Sequence, residues 1–187
     1  MVFLEFHRNH GVDAEIEFCE SVFADHDPLR FDVVDDAAMD DLWAVREELA
    51  DAVVQHDPAL VSAHSGDVAV PPSEFPALVS FIHDRAADAG LQAPTFGHAG
   101  DGNVHFDVLV DPDDPEMVDR GESVSHAVID RAIELGGTCT AEHGIGNTKR
   151  EFVRPEHGDG AVGLMGRVKD AFDPNGVLNP GKVLPGD

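Results

Sequence analysis

A glycine-rich turn between two apolar runs, at residues 97–106, is the feature that most limits how this chain can fold. Asp101 and Gly102 stand at its centre, and Asp-Gly between apolar runs is the strongest short signal for a β-hairpin with a two-residue turn. Such a turn pairs His98 with His105, with Cβ atoms about 4.5–5.5 Å apart on one face. Two imidazoles so placed can bind one divalent ion with bonds of about 2.0–2.1 Å. The alternative is an ordinary turn with two incidental histidines, since the chain has 11.

Strand and helix patterns are mixed along the chain, and the hairpin requires antiparallel pairing. We therefore predict an α+β fold rather than a strictly parallel α/β sheet. It has a largely antiparallel sheet covered by helices, with a helical segment near the C-terminus. The predicted strands are residues 2–6, 31–34, 67–70, 92–98, 104–110 and, briefly, 138–140. No internal repeat or long linker interrupts the pattern, so residues 1–187 are predicted to form one domain.

Five helices are predicted from apolar residues spaced three and four positions apart. Asp13 is the expected N-cap of the first and Ser73 of the third, which ends at Gly90. The fourth follows a turn at residues 111–114, and the fifth runs near residues 160–172. The residues expected to face a core on the first two helices are Ile16, Cys19, Val22 and Phe23, then Leu42, Val45, Leu49 and Ala52 or Val53.

The chain is strongly acidic, with 37 acidic and 12 basic side chains and a formal net charge of −25. This charge excludes a nucleic-acid binder, because affinity for the phosphate backbone depends on Lys and Arg. It also argues against binding to an anionic membrane surface. Asp outnumbers Glu and there are only three lysines, which favours a halophilic protein whose surface carboxylates are screened at high salt. The alternative is an ordinary acidic cytosolic protein.

Cysteine usage and the N-terminal segment indicate the compartment. Cys19 and Cys139 are far apart and fit no metal-binding spacing, so neither a disulfide framework nor a zinc knuckle is predicted. No apolar run is long enough to cross a bilayer. The N-terminal segment lacks the basic start of a signal peptide and carries Glu5 within its apolar run. We therefore expect no transmembrane segment and a cytoplasmic location.

Two further segments carry candidate functional residues. Glu142 and His143 are adjacent in a glycine-flanked segment, so one could complete a metal site while the other faces a substrate. Arg46 lies beside the apolar stripe of the second helix, where its guanidinium could bind a carboxylate. Each has a simpler alternative: an exposed acid beside a surface histidine, and an arginine paired with an acid one helical turn away. The glycines of the hairpin do not form a nucleotide-binding loop, and no nucleophile elbow is present.

Four blocks follow one another along the chain: SGDVAVP at residues 65–71, GHAGDGNVHF at 97–106, GGTCTAEHGIGNTKR at 136–150 and FDPNGVLNPGKVLP at 172–185. Together with LEFH at 4–7 and LWAVR at 42–46, they resemble the C-terminal domain of FAD-linked oxidases of the vanillyl-alcohol oxidase type. That family includes D-lactate dehydrogenase (cytochrome), the glycolate oxidase FAD subunit and D-2-hydroxyglutarate dehydrogenase. The resemblance implies a cap domain related to the ferredoxin-like fold.

The resemblance also implies a chemistry: FAD-dependent oxidation of a D-2-hydroxy acid, of the D-lactate or glycolate type, to the 2-oxo acid. By analogy with the family, His98, His105 and Glu142 would hold a divalent metal, and zinc and manganese both suit such ligands. His143 would be the base that accepts the hydroxyl proton, and Arg46 would bind the substrate carboxylate.

Three more positions are implied by the same resemblance. Asn179 and Lys182, in the tail block, are expected near the flavin or its domain. Asp107 replaces an Asn that is frequent in relatives, and we place it at the substrate. The hydroxyglutarate branch has a lysine where Ser65 stands here, which favours a small monocarboxylate as substrate.

The family's FAD-binding half is not found in these 187 residues, so the chain is expected to be a fragment, a split-gene subunit or a remnant that binds FAD poorly alone. The expected partners are an FAD-binding domain or subunit, a small D-2-hydroxy acid and an electron acceptor, which could be a cytochrome, a quinone or an electron-transfer protein. Two other functions stay open: a non-catalytic binding or assembly module that retains the metal site, and a stand-alone metal hydrolase.

Overall fold

The chain divides into two compact units, residues 1–50 and 51–187, in a computed structural model that describes residues 1–7, 11–34, 36–54 and 57–184. In the first unit, helix α1 spans Val12–Ala24. Helix α2 spans Asp36–Val54, so it begins in the first unit and ends just beyond it. Both segments predicted as strands in this unit, residues 2–6 and 31–34, lack strand structure, so those two predictions were wrong. A short apolar run forms a strand only when a neighbouring strand can pair with it. Phe31 packs instead against Phe23, with ring centroids 5.7 Å apart.

The apolar stripes of the first unit are only partly covered. On α1, Ile16, Cys19 and Phe23 are half-buried as expected, whereas Val22 is exposed. The first-unit helices have no strand to pack against among its described residues, which explains why the stripe stays shallow.

The stripe predicted on α2 is confirmed at Leu42 and wrong at Val45, whereas the alternative between Ala52 and Val53 stays a prediction. Leu42 is half-buried, whereas Val45 and Ala52 are exposed. The side chains of Leu49 and Val53 lie outside the described residues.

The second unit contains a three-stranded antiparallel sheet in the order β1-β3-β2. Its strands are β1 (Val61–Ala69), β2 (Thr95–His98) and β3 (Asn103–Val110). Strand β3 matches its prediction to within one residue, and β1 begins before the predicted residue 67. Strand β2 is shorter than predicted because Pro94 has no amide hydrogen for a ladder. Before that proline, only one isolated bridge, from Gln92 to Leu109, continues the pairing.

Three helices complete the second unit: α3 (Phe75–Asp88), α4 (Pro115–Glu134) and α5 (Arg150–Phe172). The side chain of Asp114 caps α4 by accepting the amide hydrogens of its first turn. The prediction of Ser73 as a cap was wrong, because it lies within a short 3-10 turn that precedes α3. Helix α5 starts well before the predicted residue 160. Its two halves meet at a kink where Gly158 has φ 76°, and the sequence pattern revealed only the second half.

Helices α3 and α4 cover one face of the sheet and enclose the core. Alternate residues of β3 point to this face, and all four are at most 1% exposed. The core comprises Val68, Val70, Leu78, Ile82, Ala86, Leu91, Ala93, Val104, Phe106, Val108, Val110, Val124, Val128, Ile129, Ala132, Cys139 and Phe152. The predicted α+β fold with an antiparallel, helix-covered sheet is therefore confirmed.

Candidate functional site

The other face of the sheet, which we call the site face, carries polar residues. Asn103, His105 and Asp107 alternate with the core residues of β3 and therefore share this face. Asp67 of β1 lies directly opposite His105 and joins them. All four residues are buried. Buried polar side chains are stable only when they are paired, so their partners indicate what this face does.

The turn of the hairpin that carries His98 is longer than predicted. His98 pairs with Asn103 rather than with His105, and residues 99–102 form a four-residue turn. The amide of Asp101 donates to the His98 carbonyl at 3.0 Å. A two-residue type I′ turn requires positive φ at both central residues. Here only Gly102, with φ 71°, adopts it, so the predicted turn type and strand register were wrong.

The two histidines nevertheless stay together, because diagonal neighbours across two strands share a face. Their ring centroids lie 5.6 Å apart with the planes nearly perpendicular, at 87°. Phe96, which is opposite His105, packs beside it with ring centroids 5.3 Å apart. The structure therefore places His98, the last residue of β2, beside His105 on the site face.

The segment after α4 brings Glu142 and His143 to the same place. One carboxylate oxygen of Glu142, Oε1, lies 2.8 Å from Nε2 of His105. The same oxygen is 3.8 Å from Nε2 of His98 and 3.9 Å from Nε2 of His143. The His143 ring stacks on that of His105, with centroids 5.2 Å apart. Three imidazoles thus surround one carboxylate oxygen.

The site has a buried floor and an open rim. The side chain of His105 is 10% exposed, whereas those of Glu142 and His143 are 52% and 65% exposed. A small molecule could therefore approach His143 and Glu142 from solvent while His105 stays fixed beneath them.

Asp67 holds the segment that carries Glu142 and His143. Its Oδ2 accepts the amide hydrogens of three consecutive residues, Ala141, Glu142 and His143, at 2.9–3.0 Å. Its Oδ1 accepts a hydrogen bond of 2.8 Å from the Asn103 side chain. Backbone amides that converge on one carboxylate fix the local chain direction. The orientations of Glu142 and His143 therefore depend on a residue of β1, which is distant from them in sequence.

A buried lysine supports this carboxylate. The Nζ of Lys149 donates to the backbone carbonyl of Asp67 and lies 3.7 Å from its Oδ2. Lys149 is 7% exposed, and this burial lowers its pKa although the negative charge of Asp67 opposes the shift. The pair places compensating charge beneath the histidines.

The electrostatics of the floor favour a charged Asp67 and a neutral His105. Burial alone would raise the pKa of Asp67, but hydrogen bonds from the His143 and Glu142 amides and from Asn103 hold that pKa far below its ordinary value. Burial lowers the pKa of His105, and the negative charges of Asp67 and Glu142 only partly offset this. A neutral imidazole has the free lone pair that a metal ligand requires.

The donor set suits a divalent ion. Ligand atoms of Asp67, His105, Glu142 and His143 lie within 4.8 Å of one another, and His98 adjoins them. Both oxygens of Asp67 already accept hydrogen bonds, so Asp67 is better suited to orient the ligands. Its Oδ1 faces Nδ1 of His105 at 3.7 Å, which is too long for a hydrogen bond, so Asp67 acts on that ring through its negative charge. Imidazoles with one carboxylate match zinc and manganese chemistry.

Asp107 lies on the site face two residues beyond His105, and its carboxylate is already hydrogen-bonded. Its Oδ1 accepts hydrogen bonds from the hydroxyl groups of Ser62 (2.5 Å) and Ser65. Ser65 is also its partner across β1 and β3. The structure therefore gives Asp107 a buried, hydroxyl-bonded position next to the histidines.

The remaining predicted residues lie in other segments. Arg46 is exposed on α2. Asn179 and Lys182 lie in the tail after α5, where the Lys182 amide donates to the Asn179 carbonyl at 3.2 Å. Asn179 is exposed and adopts a positive φ of 44°.

Three buried residues of the site, Asp67, Asn103 and Lys149, were not identified from the sequence. Asp67 is a lone acid within an apolar strand, and Lys149 is one of only three lysines in an acidic chain. An acid in a strand pattern is a signal for a buried polar role, since such a residue needs partners. The partners themselves come from residues 36 to 82 positions away.

None of the helices in the described residues is both long enough and apolar enough to cross a membrane.

The fold and the site define a two-layer α+β domain that keeps its chemistry on one face of an antiparallel sheet. The sequence model described as "FAD linked oxidases, C-terminal domain" matches residues 1–183. The chain belongs to this family, and the predicted resemblance is confirmed.

Individual relatives agree with this assignment. The chain is 34% identical over 185 residues to "Probable D-lactate dehydrogenase, mitochondrial" of Danio rerio, covering 98% of the chain and 37% of that protein. It is 40% identical over 121 residues to "Glycolate oxidase subunit GlcD" of Bacillus subtilis (strain 168), and this alignment covers 65% of the chain and 26% of that protein. The chain therefore spans well under half the length of these relatives.

A solved structure shows the same fold. The 4-ethylphenol oxidase from Gulosibacter chungangensis, in complex with isoeugenol, aligns with a TM-score of 0.62. The alignment covers 94% of this chain and 37% of that one, at 21% sequence identity. At this identity the likeness concerns the fold.

Proposed function

We propose that this chain is the substrate- and metal-binding domain of an FAD-dependent dehydrogenase that oxidises a D-2-hydroxy acid, D-lactate or glycolate, to the 2-oxo acid. The observation that carries the proposal is the convergence of three imidazoles on one carboxylate oxygen, Oε1 of Glu142. The names of the relatives, D-lactate dehydrogenase and glycolate oxidase subunit, support the substrate class. The proposed partner is an FAD-binding domain or subunit.

In this proposal, His98, His105 and Glu142 hold a divalent ion, zinc or manganese. The buried His105 provides the fixed ligand, and Glu142 is directed toward it by the Asp67 carboxylate. Held by these residues, a divalent ion would supply Lewis-acid polarisation of the substrate hydroxyl group, and the FAD of the partner domain would supply the acceptor for the C2 hydride.

The other residues bind the substrate and move a proton. The exposed His143 ring, stacked on His105, accepts the hydroxyl proton at Nε2. Arg46 binds the substrate carboxylate with its planar guanidinium, which fixes the orientation of C2. Asn179 and Lys182 are proposed to contact the flavin or its domain.

The site face supports a monocarboxylate as the substrate. Next to the histidines it presents Asp107, whose charge is shared with two serine hydroxyl groups. A second carboxylate on the substrate would meet this negative group, which forms no ion pair within the described part of the chain. We therefore place Asp107 at the substrate as a group that disfavours dicarboxylates such as D-2-hydroxyglutarate.

We further propose a cytoplasmic setting of high ionic strength. The net charge of −25 supports this, because salt screens repulsion between surface carboxylates. The electron acceptor is a cytochrome, a quinone or an electron-transfer protein.

The test uses an affinity-tagged chain purified from its native cells in molar KCl without chelator. We expect about one divalent ion per chain, a co-purifying flavoprotein, and bleaching of its flavin absorbance by D-lactate or glycolate but not by L-lactate. The double variant His98→Ala/His105→Ala should lose the metal. The variant His143→Gln should keep both the metal and the flavin, but the substrate should no longer bleach the flavin absorbance. A flavin that no 2-hydroxy acid bleaches would contradict the proposal. Retained metal without flavin would favour an assembly module, or a hydrolase if ester turnover is found.

A further inference from the structure

The network beneath the histidines contains a residue with a defined role beyond the proposed ligands and base. We propose that Asp67 is a positioning residue, which sets Glu142 and His143 against His105 through hydrogen bonds to three consecutive backbone amides. This inference rests on the function proposed above for those three residues. It predicts that the geometry of the site is set by β1, a strand that supplies no ligand.

The first argument is the number of hydrogen bonds that one carboxylate oxygen of Asp67 accepts. Oδ2 of Asp67 accepts from the amides of Ala141, Glu142 and His143, at 3.0, 3.0 and 2.9 Å. The hydroxyl group of Thr140 lies 3.4 Å from the same oxygen. Three amides bound to one oxygen leave little freedom in the backbone that carries Glu142 and His143. Charge-assisted bonds of this kind are about twice as strong as neutral ones.

The second argument is that Asp67 itself cannot move. It is 1% exposed and lies near the C-terminal end of β1, where it pairs with His105 of β3. Asn103 donates to Oδ1 at 2.8 Å, and Lys149 donates to its backbone carbonyl. The carboxylate is therefore a rigid anchor rather than a surface cap.

The third argument is that the same carboxylate faces the fixed imidazole. Oδ1 of Asp67 lies 3.7 Å from Nδ1 of His105, whereas Nε2 of His105 faces Glu142 at 2.8 Å. One residue thus acts on both sides of the cluster: its negative charge lies near Nδ1 of His105, and its Oδ2 accepts a hydrogen bond from the Glu142 amide. Groups that orient ligands in this way typically change metal affinity by about 10- to 100-fold when they are replaced.

The variant Asp67→Asn keeps the size of the side chain but removes its charge. Asp173→Asn is the matched control. Asp173 is also a buried carboxylate, 7% exposed, that accepts two backbone amides, of Val177 and Leu178, and pairs with Lys169. Both substitutions remove one buried charge, but only the first removes it beneath the histidines.

The full chain is titrated in molar KCl with Zn²⁺ against a chromophoric chelator, and with Co²⁺ to record the visible ligand-field spectrum. Amide hydrogen exchange of residues 141–143 is measured by NMR without metal. We expect Asp67→Asn to weaken Zn²⁺ binding by about 10- to 100-fold, to alter the Co²⁺ spectrum and to speed exchange of the three amides. We expect Asp173→Asn to leave the affinity, the spectrum and the three amides unchanged.

The outcomes separate this inference from the proposed metal site. Wild-type affinity, spectrum and amide protection in folded Asp67→Asn would overturn the positioning role. Equal losses in both variants would also overturn it, since they would reveal a general loss of stability. If wild-type protein binds no Zn²⁺ or Co²⁺, the metal assignment fails, and the amide exchange of residues 141–143 still decides whether Asp67 orders the segment.

Discussion

Replacement of Gly66 by alanine should destabilise the protein through a single contact in the sheet. Gly66 lies in β1 directly opposite Phe106 of β3, whose ring is 1% exposed and covers the glycine. A Cβ at residue 66 would meet Phe106 Cδ1 at 2.6 Å and two further ring atoms at shorter distances. Ordinary contact begins near 3.4 Å, so the ring or the strand must shift by about an ångström within a close-packed core.

The magnitude follows from two opposing effects. Overpacking of a core costs about 1–3 kcal/mol, whereas replacing glycine by alanine restricts the unfolded chain and contributes about 0.4–1 kcal/mol in the other direction. The net loss is about 1–2 kcal/mol, which lowers Tm by about 2–8 °C in a chain of this size. Thermal unfolding followed by circular dichroism in molar KCl measures it.

Two further variants make the test specific. Gly166→Ala, in α5, meets no heavy atom within 4 Å and should raise stability, because alanine is favoured over glycine in helices by about 1 kcal/mol. Phe106→Leu removes the ring that opposes the new methyl group. In combination with Gly66→Ala it should cost less than the sum of the two single changes. A Gly66→Ala variant as stable as wild type, or strictly additive losses, would refute the packing argument.

Four other outcomes are expected. Burial raises the pKa of the Cys139 thiol to about 12, so a thiol reagent at neutral pH should label the half-buried Cys19 and spare Cys139 until the protein unfolds. Because the pKa of Asp67 is depressed, its charge stabilises the folded state above the ordinary value of 3.8. The stability difference between wild type and Asp67→Asn should therefore shrink as pH falls below that value, as measured by urea unfolding. Removal of KCl should lower Tm, because the surface carboxylates that give the net charge of −25 then repel one another without screening. An unchanged Tm would contradict the halophilic proposal. In the flavin-containing preparation, Arg46→Lys should raise the KM for D-lactate more than it lowers kcat, because the ammonium group cannot bind a carboxylate bidentately.

Local patterns predicted the second unit well. The apolar run of β3, the helix after the turn at residues 111–114 and the Asp-Gly hairpin are each specified by residues near one another in sequence, and the structure has a strand, a helix and a hairpin there. The predicted proximity of His98 to His105 also appears, although by a diagonal arrangement rather than a direct pair.

The failures have a common physical origin in distant contacts. The runs at residues 2–6 and 31–34 have strand-like composition, but a strand also needs a partner that a local pattern cannot supply. The turn length depends on more than the Asp-Gly pair, since the amide of Val70, in a distant segment, donates a hydrogen bond of 3.0 Å to the carbonyl of Gly102. The role of Asp67 depends on amides 74 to 76 residues away, so no spacing rule could reveal it.

The alternation along β3 has a consequence for how this domain can vary. Neighbouring residues such as His105 and Phe106 point to opposite faces. Insertion or deletion of one residue within β3 would therefore move every side chain on one side of the change to the opposite face of the sheet. The turn at residues 99–102 lies outside the paired positions and can change length without that exchange. Natural length variation should therefore collect in the turn and avoid the strand, whereas point substitutions on the site face can alter chemistry and leave the core packing intact.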